Sequence, residues 1–118
     1  DGNMWFLEMN GQRDGRKVDG NRVGRITMEG KITEFQIPSP TGSPTNIAVG
    51  PDRNIWFTKG NVVGRVTPDG AITEVPMPPM AAGTGLTAGS DRQPPRRLSN
   101  RLWVAASGAN KLLYLTFK

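Results

Sequence analysis

Residues 20–38 read GNRVGRITMEGKITEFQIP and residues 60–78 read GNVVGRVTPDGAITEVPMP. The offset is 40 without a gap, and eleven of the nineteen positions are identical. Self-similarity at a fixed period marks repeated supersecondary units, so it constrains the fold before any single residue does. Outward from this pair, further copies appear. Ile47-Ala48-Val49-Gly50-Pro51-Asp52 recurs as Leu86-Thr87-Ala88-Gly89-Ser90-Asp91. A tryptophan segment occurs as Asn3-Met4-Trp5-Phe6, as Asn54-Ile55-Trp56-Phe57 and, more loosely, as Arg101-Leu102-Trp103-Val104. Asn110-Lys111-Leu112-Leu113-Tyr114-Leu115-Thr116 repeats the stretch from Asn21 to Thr27.

Each unit resolves into four short segments. In the middle copy these are A (46–50), B (54–58), C (62–67) and D (71–76). They are rich in Val, Ile, Thr and aromatics and bounded by Gly, Pro, Asn or Asp, which is strand patterning. The C–D turn is Met28-Glu29-Gly30 in one copy and Pro68-Asp69-Gly70 in the other, with proline to preset φ and glycine to supply a positive one. No window has a helical period. The chain therefore reads as all-β, built of four-stranded antiparallel repeats of about 40 residues, which is the period of β-propeller blades. Met4-Trp5-Phe6-Leu7 and Ile55-Trp56-Phe57 are apolar at consecutive positions, so both faces of segment B should be covered, as neighbouring blades would cover them. The organisation expected is a partial blade over 1–37 (B, C, D), a complete blade over 38–77, and a partial blade over 78–118 (A, B, C). That is ten strands and an incomplete propeller.

Composition narrows the function classes. There is no cysteine, so disulfide and thiolate chemistry are excluded. Fifteen basic against ten acidic side chains give +5, too diffuse for a specific nucleic-acid interface. No stretch is long and apolar enough to be a membrane span. A Gly-x-Ser-x-Gly elbow, a phosphate loop and paired carboxylates at catalytic spacing are all missing. Glu34 and Glu74, one in each segment D, are read as solvent-facing, paired across strands with Arg25 and Arg65.

Two insertions break the period. Residues 8–19, EMNGQRDGRKVD, separate B from C in the first unit and read as a mobile, charged surface loop. RQPPRRLSN, 92–100, separates A from B in the third, and its Arg92, Arg96 and Arg97 are candidate anion-binding groups, since guanidinium forks suit carboxylate and phosphate oxygens.

The string GPDRNIWFTKGNVVGRVTPDGAITEVPMP, residues 50–78, resembles the repeat of the virginiamycin B lyase (streptogramin lyase) family. That family's blades read roughly GPDGNLWFTE followed by NKIGRITPDGTITEFPLP, and form a seven-bladed propeller. The resemblance covers essentially the whole chain apart from the insertions. It implies a bacterial antibiotic-resistance enzyme that opens a depsipeptide ring at its ester by elimination. It also implies a histidine base at the start of a segment A, in a Pro-His-Gly string, with a glutamate and a bound Mg²⁺.

The matching positions here are Pro44-Thr45-Asn46 and Gly83-Thr84-Gly85, and the chain contains no histidine at all. A threonine hydroxyl cannot abstract a proton near neutral pH, because its pKa lies far from the operating value. The family glutamate, last letter of WFTE, corresponds to Glu8, Lys59 and Ala106. The reading is thus of a non-catalytic propeller segment that binds or assembles, with Thr45, Asn46, Thr84, Glu8 and Lys59 as its candidate ligand-facing residues. It has no catalytic or metal residue of its own, and Mg²⁺ enters only for a full-length lyase. The alternative is part of such a lyase whose histidine lies outside these residues. The expected partners are further copies of the chain at open blade edges, or the missing blades of a longer chain.

Overall fold

The computed structural model describes residues 2–9, 11–18, 20–39, 43–77, 83–89, 101–106 and 111–116. Among them there is no helix. Three antiparallel sheets of three or four strands follow one another along the chain, besides one two-stranded sheet. The first has the order β1-β4-β5, with β1 Met4–Glu8, β4 Arg22–Ile26 and β5 Ile32–Gln36. The second is a complete four-stranded blade, β6 Pro44–Val49, β7 Ile55–Lys59, β8 Val62–Val66 and β9 Ile72–Pro76, in chain order. The third comprises β10 Gly83–Gly89, β11 Arg101–Ala106 and β12 Lys111–Thr116. Strand β6 lies against both β1 and β10, so the inner strands converge while the outer ones splay apart. That wedge-shaped fan is propeller geometry.

The repeat survives as repeated bonding. In the first sheet Thr27 N–H donates to the Lys31 carbonyl and Gly30 N–H to that of Thr27, at 3.0 and 2.9 Å. In the second, Thr67, Ala71 and Gly70 make the same two bonds at the same distances. The threonine hydroxyl accepts the N–H four residues on, 3.1 Å in both copies. The Gly-Pro-Asp-x-Asn-x-Trp motif is explained equally directly. The Asp52 carboxylate accepts from Asn54 N–H at 3.2 Å, Asn54 Nδ2 at 2.9 Å and Trp56 Nε1 at 2.9 Å, tying the A–B turn to strand β7. Burial alone would raise the Asp52 carboxyl, but these bonds outweigh it and hold the group below the usual carboxylate range.

Two apolar layers separate the three sheets. Val23, Ile37, Ile55, Phe57 and Val66 fill the first, with Trp5 and Leu7 packed on it. Trp56, Val63, Leu102 and Val104 fill the second. Strand β7 feeds alternate side chains into each and is buried at every position, as its consecutive apolar residues require. Strand β1 differs from that expectation. Trp5 and Leu7 pack inward, but Met4 on the opposite face is 70% exposed.

Two further expectations change. The first insertion is not a plain loop but a hairpin, β2 Gly11–Arg13 with β3 Arg16–Val18, closed by Asp14 and Gly15 at φ 53° and 75°. Positive φ at both corners is the two-residue hairpin turn that an Asp-Gly pair favours. The proposed arginine–glutamate pairs do not form either. Glu34 lies opposite Gly24 and Glu74 opposite Gly64, one position out of register from Arg25 and Arg65, which puts each pair on opposite faces. Arg25 instead stacks over the rings of Trp5 and Phe35, and Arg65 approaches Asp52 at 3.9 Å. Nor is Glu74 simply solvent-facing, because its carboxylate takes part in an internal bond described below.

Candidate ligand-facing end of the blades

The candidate residues cluster at one end of the sheets, where segment A begins and segment B ends. Pro44 pairs with Lys59 and Asn46 with Thr58, leaving Thr45 in a register irregularity of the innermost strand. The third sheet repeats it: Gly83 pairs with Ala106 and Gly85 with Ala105, with Thr84 between them. Bulges re-aim side chains and are frequent beside binding sites, so both positions that match the family histidine occupy the same special backbone. The linear repeat gives no sign of it. Thr45 Oγ1 lies 3.0 Å from Thr58 Oγ1, and Asn46 Nδ2 donates to Thr45 Oγ1 at 3.4 Å. The Thr84 side chain, Arg92, Arg96 and Arg97 fall outside the described residues.

Lys59 and Glu8 occupy equivalent ends of segment B but have opposite surroundings. Lys59 is only 1% exposed. Its ammonium donates to the Ser39 carbonyl and, at 2.8 Å, to the Ser39 hydroxyl. That hydroxyl donates in turn to Glu74 Oε1 at 2.6 Å. An ammonium–hydroxyl–carboxylate chain thus ties β7, the inter-sheet linker and β9 together. Burial lowers the Lys59 pKa, and the Glu74 charge partly restores it. Ser39 and Glu74 were not singled out as site residues from sequence. Ser39 lies in the irregular linker, where periodicity carries no signal.

Glu8 stays near solvent with Arg22 Nη1 at 3.7 Å, and the same guanidinium reaches Glu34 at 3.7 Å. Desolvation and then the neighbouring Glu34 raise the Glu8 pKa, while Arg22 opposes them. Of the candidates, then, the fold sets Thr45, Asn46 and Lys59 around one end of β6 and β7. Glu8 takes part in a different network, with Arg22 and Glu34.

A Mg²⁺ ion needs several oxygen ligands, carboxylates among them. Among the described residues no group of three His, Cys, Asp or Glu side chains comes together. The blade-two position matching the family glutamate holds a buried ammonium. The described residues do not fit the ion. A cavity of about 320 Å³ lies on the outer side of the sheets, between β9 and β12. Val75, Met77, Leu113 and Leu115 line it, and they offer packing rather than chemistry.

The sequence profile of the virginiamycin B lyase family matches residues 1–118. The chain belongs to that family. Among solved structures, selenomethionine-substituted virginiamycin B lyase from Staphylococcus aureus is 42% identical with a TM-score of 0.70, covering 82% of this chain and 31% of that one. A catalytically inactive histidine-to-alanine variant of the S. aureus lyase, solved with quinupristin, is likewise 42% identical, TM-score 0.70, over 81% of this chain and 31% of that one. A streptogramin B lyase structure is 28% identical with a TM-score of 0.64, over 83% and 34%. No curated protein matches. The chain spans about a third of the length of these lyases.

Proposed function

We propose that residues 1–118 are a non-catalytic β-propeller segment of the virginiamycin B lyase family that serves binding or assembly. One observation carries this reading: both positions matching the family's histidine are threonines, in a chain with no histidine. In the S. aureus relative, a histidine-to-alanine change accompanies a catalytically inactive enzyme. Thr45 shares its hydroxyl with that of Thr58, and a hydroxyl is no general base near neutral pH. The Lys59 amine is engaged by Ser39. At this end of the blades the Thr45 hydroxyl and the Asn46 amide are groups suited to hydrogen bonding with carbonyl-rich molecules.

The test is mass spectrometry of a type B streptogramin after incubation with the purified chain. The ring should stay intact with or without added Mg²⁺. Enzyme-dependent appearance of the linear product would overturn the reading. A second reading, favoured by the 42% identity to a working lyase, is that the segment lends blades to such an enzyme and the base lies elsewhere. In that case adding the remaining blades of a family lyase should create ring-opening activity that neither part has alone.

A further inference from the structure

A buried ammonium costs free energy unless its hydrogens find acceptors, so the partners of Lys59 show what holds it there. Lys59 ends β7, and across the ladder it stands opposite Pro44, which opens β6 just before the irregular step at Thr45. Its ammonium reaches back along the chain to Ser39, donating to the carbonyl and, at 2.8 Å, to the hydroxyl. Ser39 and Pro44, the two ends of the stretch that leads to Thr45, therefore both rest on one residue. The hydroxyl of Thr58, next to Lys59 on β7, lies 3.0 Å from that of Thr45. A shift at this end of β7 reaches the ligand-facing hydroxyl directly.

Ser39 is held from two further sides. Asn21, 5% exposed and ahead of β4 in the first sheet, donates Nδ2 to the Ser39 carbonyl at 3.0 Å. The Ser39 hydroxyl donates to Glu74 Oε1 on β9 at 2.6 Å. Among the described residues, Glu74 is the charged group that acts on the Lys59 ammonium. Pro44 opposite it on β6, Val62 opposite it on β8, Ser39 and Asn21 carry no charge.

The other units lack the residues for this arrangement. Lys59 corresponds to Glu8 and Ala106, and Ser39 to Pro79 forty residues on. Alanine has no amine and proline no hydroxyl. Thr45 and Thr84 thus share a register irregularity but not its support. Groups already fixed before a ligand arrives lose less freedom on binding it, which favours affinity.

We propose that Lys59 is a positioning residue of the ligand-facing end: by clamping Ser39 against Glu74 it fixes Ser39 and Pro44, and with them the Thr45 hydroxyl and Asn46 amide, in the arrangement that meets a ligand. This deepens the binding reading above and rests on it.

The test is NMR of the 118-residue chain, following Lys59 Cε and the Thr45 methyl as pH is raised. Deprotonation removes the attraction to Glu74 and replaces charge-assisted bonds by neutral ones, roughly half as strong. The Thr45 methyl should move with the same midpoint as Lys59 Cε, below the usual lysine range. In Lys59→Met, checked for folding by circular dichroism, the Thr45 methyl should be indifferent to pH over that range. Its affinity for a type B streptogramin should be about tenfold weaker than that of the parent chain. Ser39→Ala keeps the ammonium and should weaken binding in the same direction, so it serves where Lys59→Met does not fold. Ser39→Thr, which retains the hydroxyl, should restore it. A Thr45 methyl that ignores the Lys59 titration would overturn the positioning role. So would unchanged affinity in a folded Lys59→Met or Ser39→Ala chain. A parent chain that shows the coupled titration but binds no streptogramin would support the clamp and overturn the binding reading.

Discussion

At the scale of single residues, Asp52 ties the blade's A–B turn to strand β7. Three donors converge on it, from Asn54 and Trp56, and Arg65 stands at 3.9 Å. Hydrogen bonds to a charged group are each worth roughly 1.5–3 kcal/mol, and they are not additive. Asp52→Ala is therefore expected to cost about 2–3 kcal/mol in urea unfolding. The pH dependence has a definite sign. The folded carboxyl titrates below its ordinary value, so its contribution is present above about pH 4 and is lost as pH falls through the lower folded value. Stability measured from pH 6 downward should fall less steeply in Asp52→Ala than in the parent chain. Equal slopes would show that Asp52 contributes nothing to acid unfolding. Lys59 runs the other way: burial lowers its folded pKa, so raising pH removes a charge the folded state holds at a cost.

At the scale of elements, the equivalence of positions 40 apart becomes a quantitative comparison. A Cβ on Gly64 would lie 2.0 Å from the Phe57 ring, and one on Gly24 2.1 Å from the Phe6 ring. Phe57 is fully buried between two sheets, whereas Phe6 lies on the open face of the first sheet and is only half-buried. Gly64→Ala must therefore displace packed core and should cost about 2–4 kcal/mol. Gly24→Ala can move its ring outward and should cost less than half as much, as thermal unfolding of the two variants would report. Equal costs would mean that the open face is no softer than the closed one. The same comparison shows why so much of the fold was legible in the sequence. Turn residues, strand periods and the Trp motif all depend on local chemistry, which recurs with the letters. The hairpin at Asp14-Gly15 was also legible as an Asp-Gly turn, but the charge of its flanks pointed to a loop. The arginine–glutamate pairing failed on a register offset of one residue, which identity between repeats does not reveal. At the candidate site, the threonines were identifiable by alignment to the repeat. The bulge that holds them and the Lys59–Ser39–Glu74 chain were not, because both arise where strands meet irregular backbone.

At the scale of the whole molecule, the second sheet holds the other two. Among the described residues it borders both apolar layers, and its strand β6 touches β1 on one side and β10 on the other. Such a stack behaves as a short one-dimensional array, in which stability is a sum of unit and interface contributions. Local opening should then begin at the sheets bordered on one side. Leu102 is a sensitive probe, since it is fully buried and belongs to the second layer only. Leu102→Ala removes packed methyl groups and should cost about 2–5 kcal/mol. The loss should fall on one interface rather than on the molecule evenly. Native-state hydrogen exchange is expected to show β7 as the most protected strand in the parent chain. In Leu102→Ala, exchange in β10, β11 and β12 should accelerate by at least tenfold more than in β1, β4 and β5. The reason is geometric: the first layer, with Ile55 and Phe57 against Val23 and Ile37, is untouched by the substitution. A uniform acceleration across all three sheets would mean that the segment unfolds as a single cooperative unit, and that the two layers are coupled through β7 more tightly than an array of nearest neighbours allows.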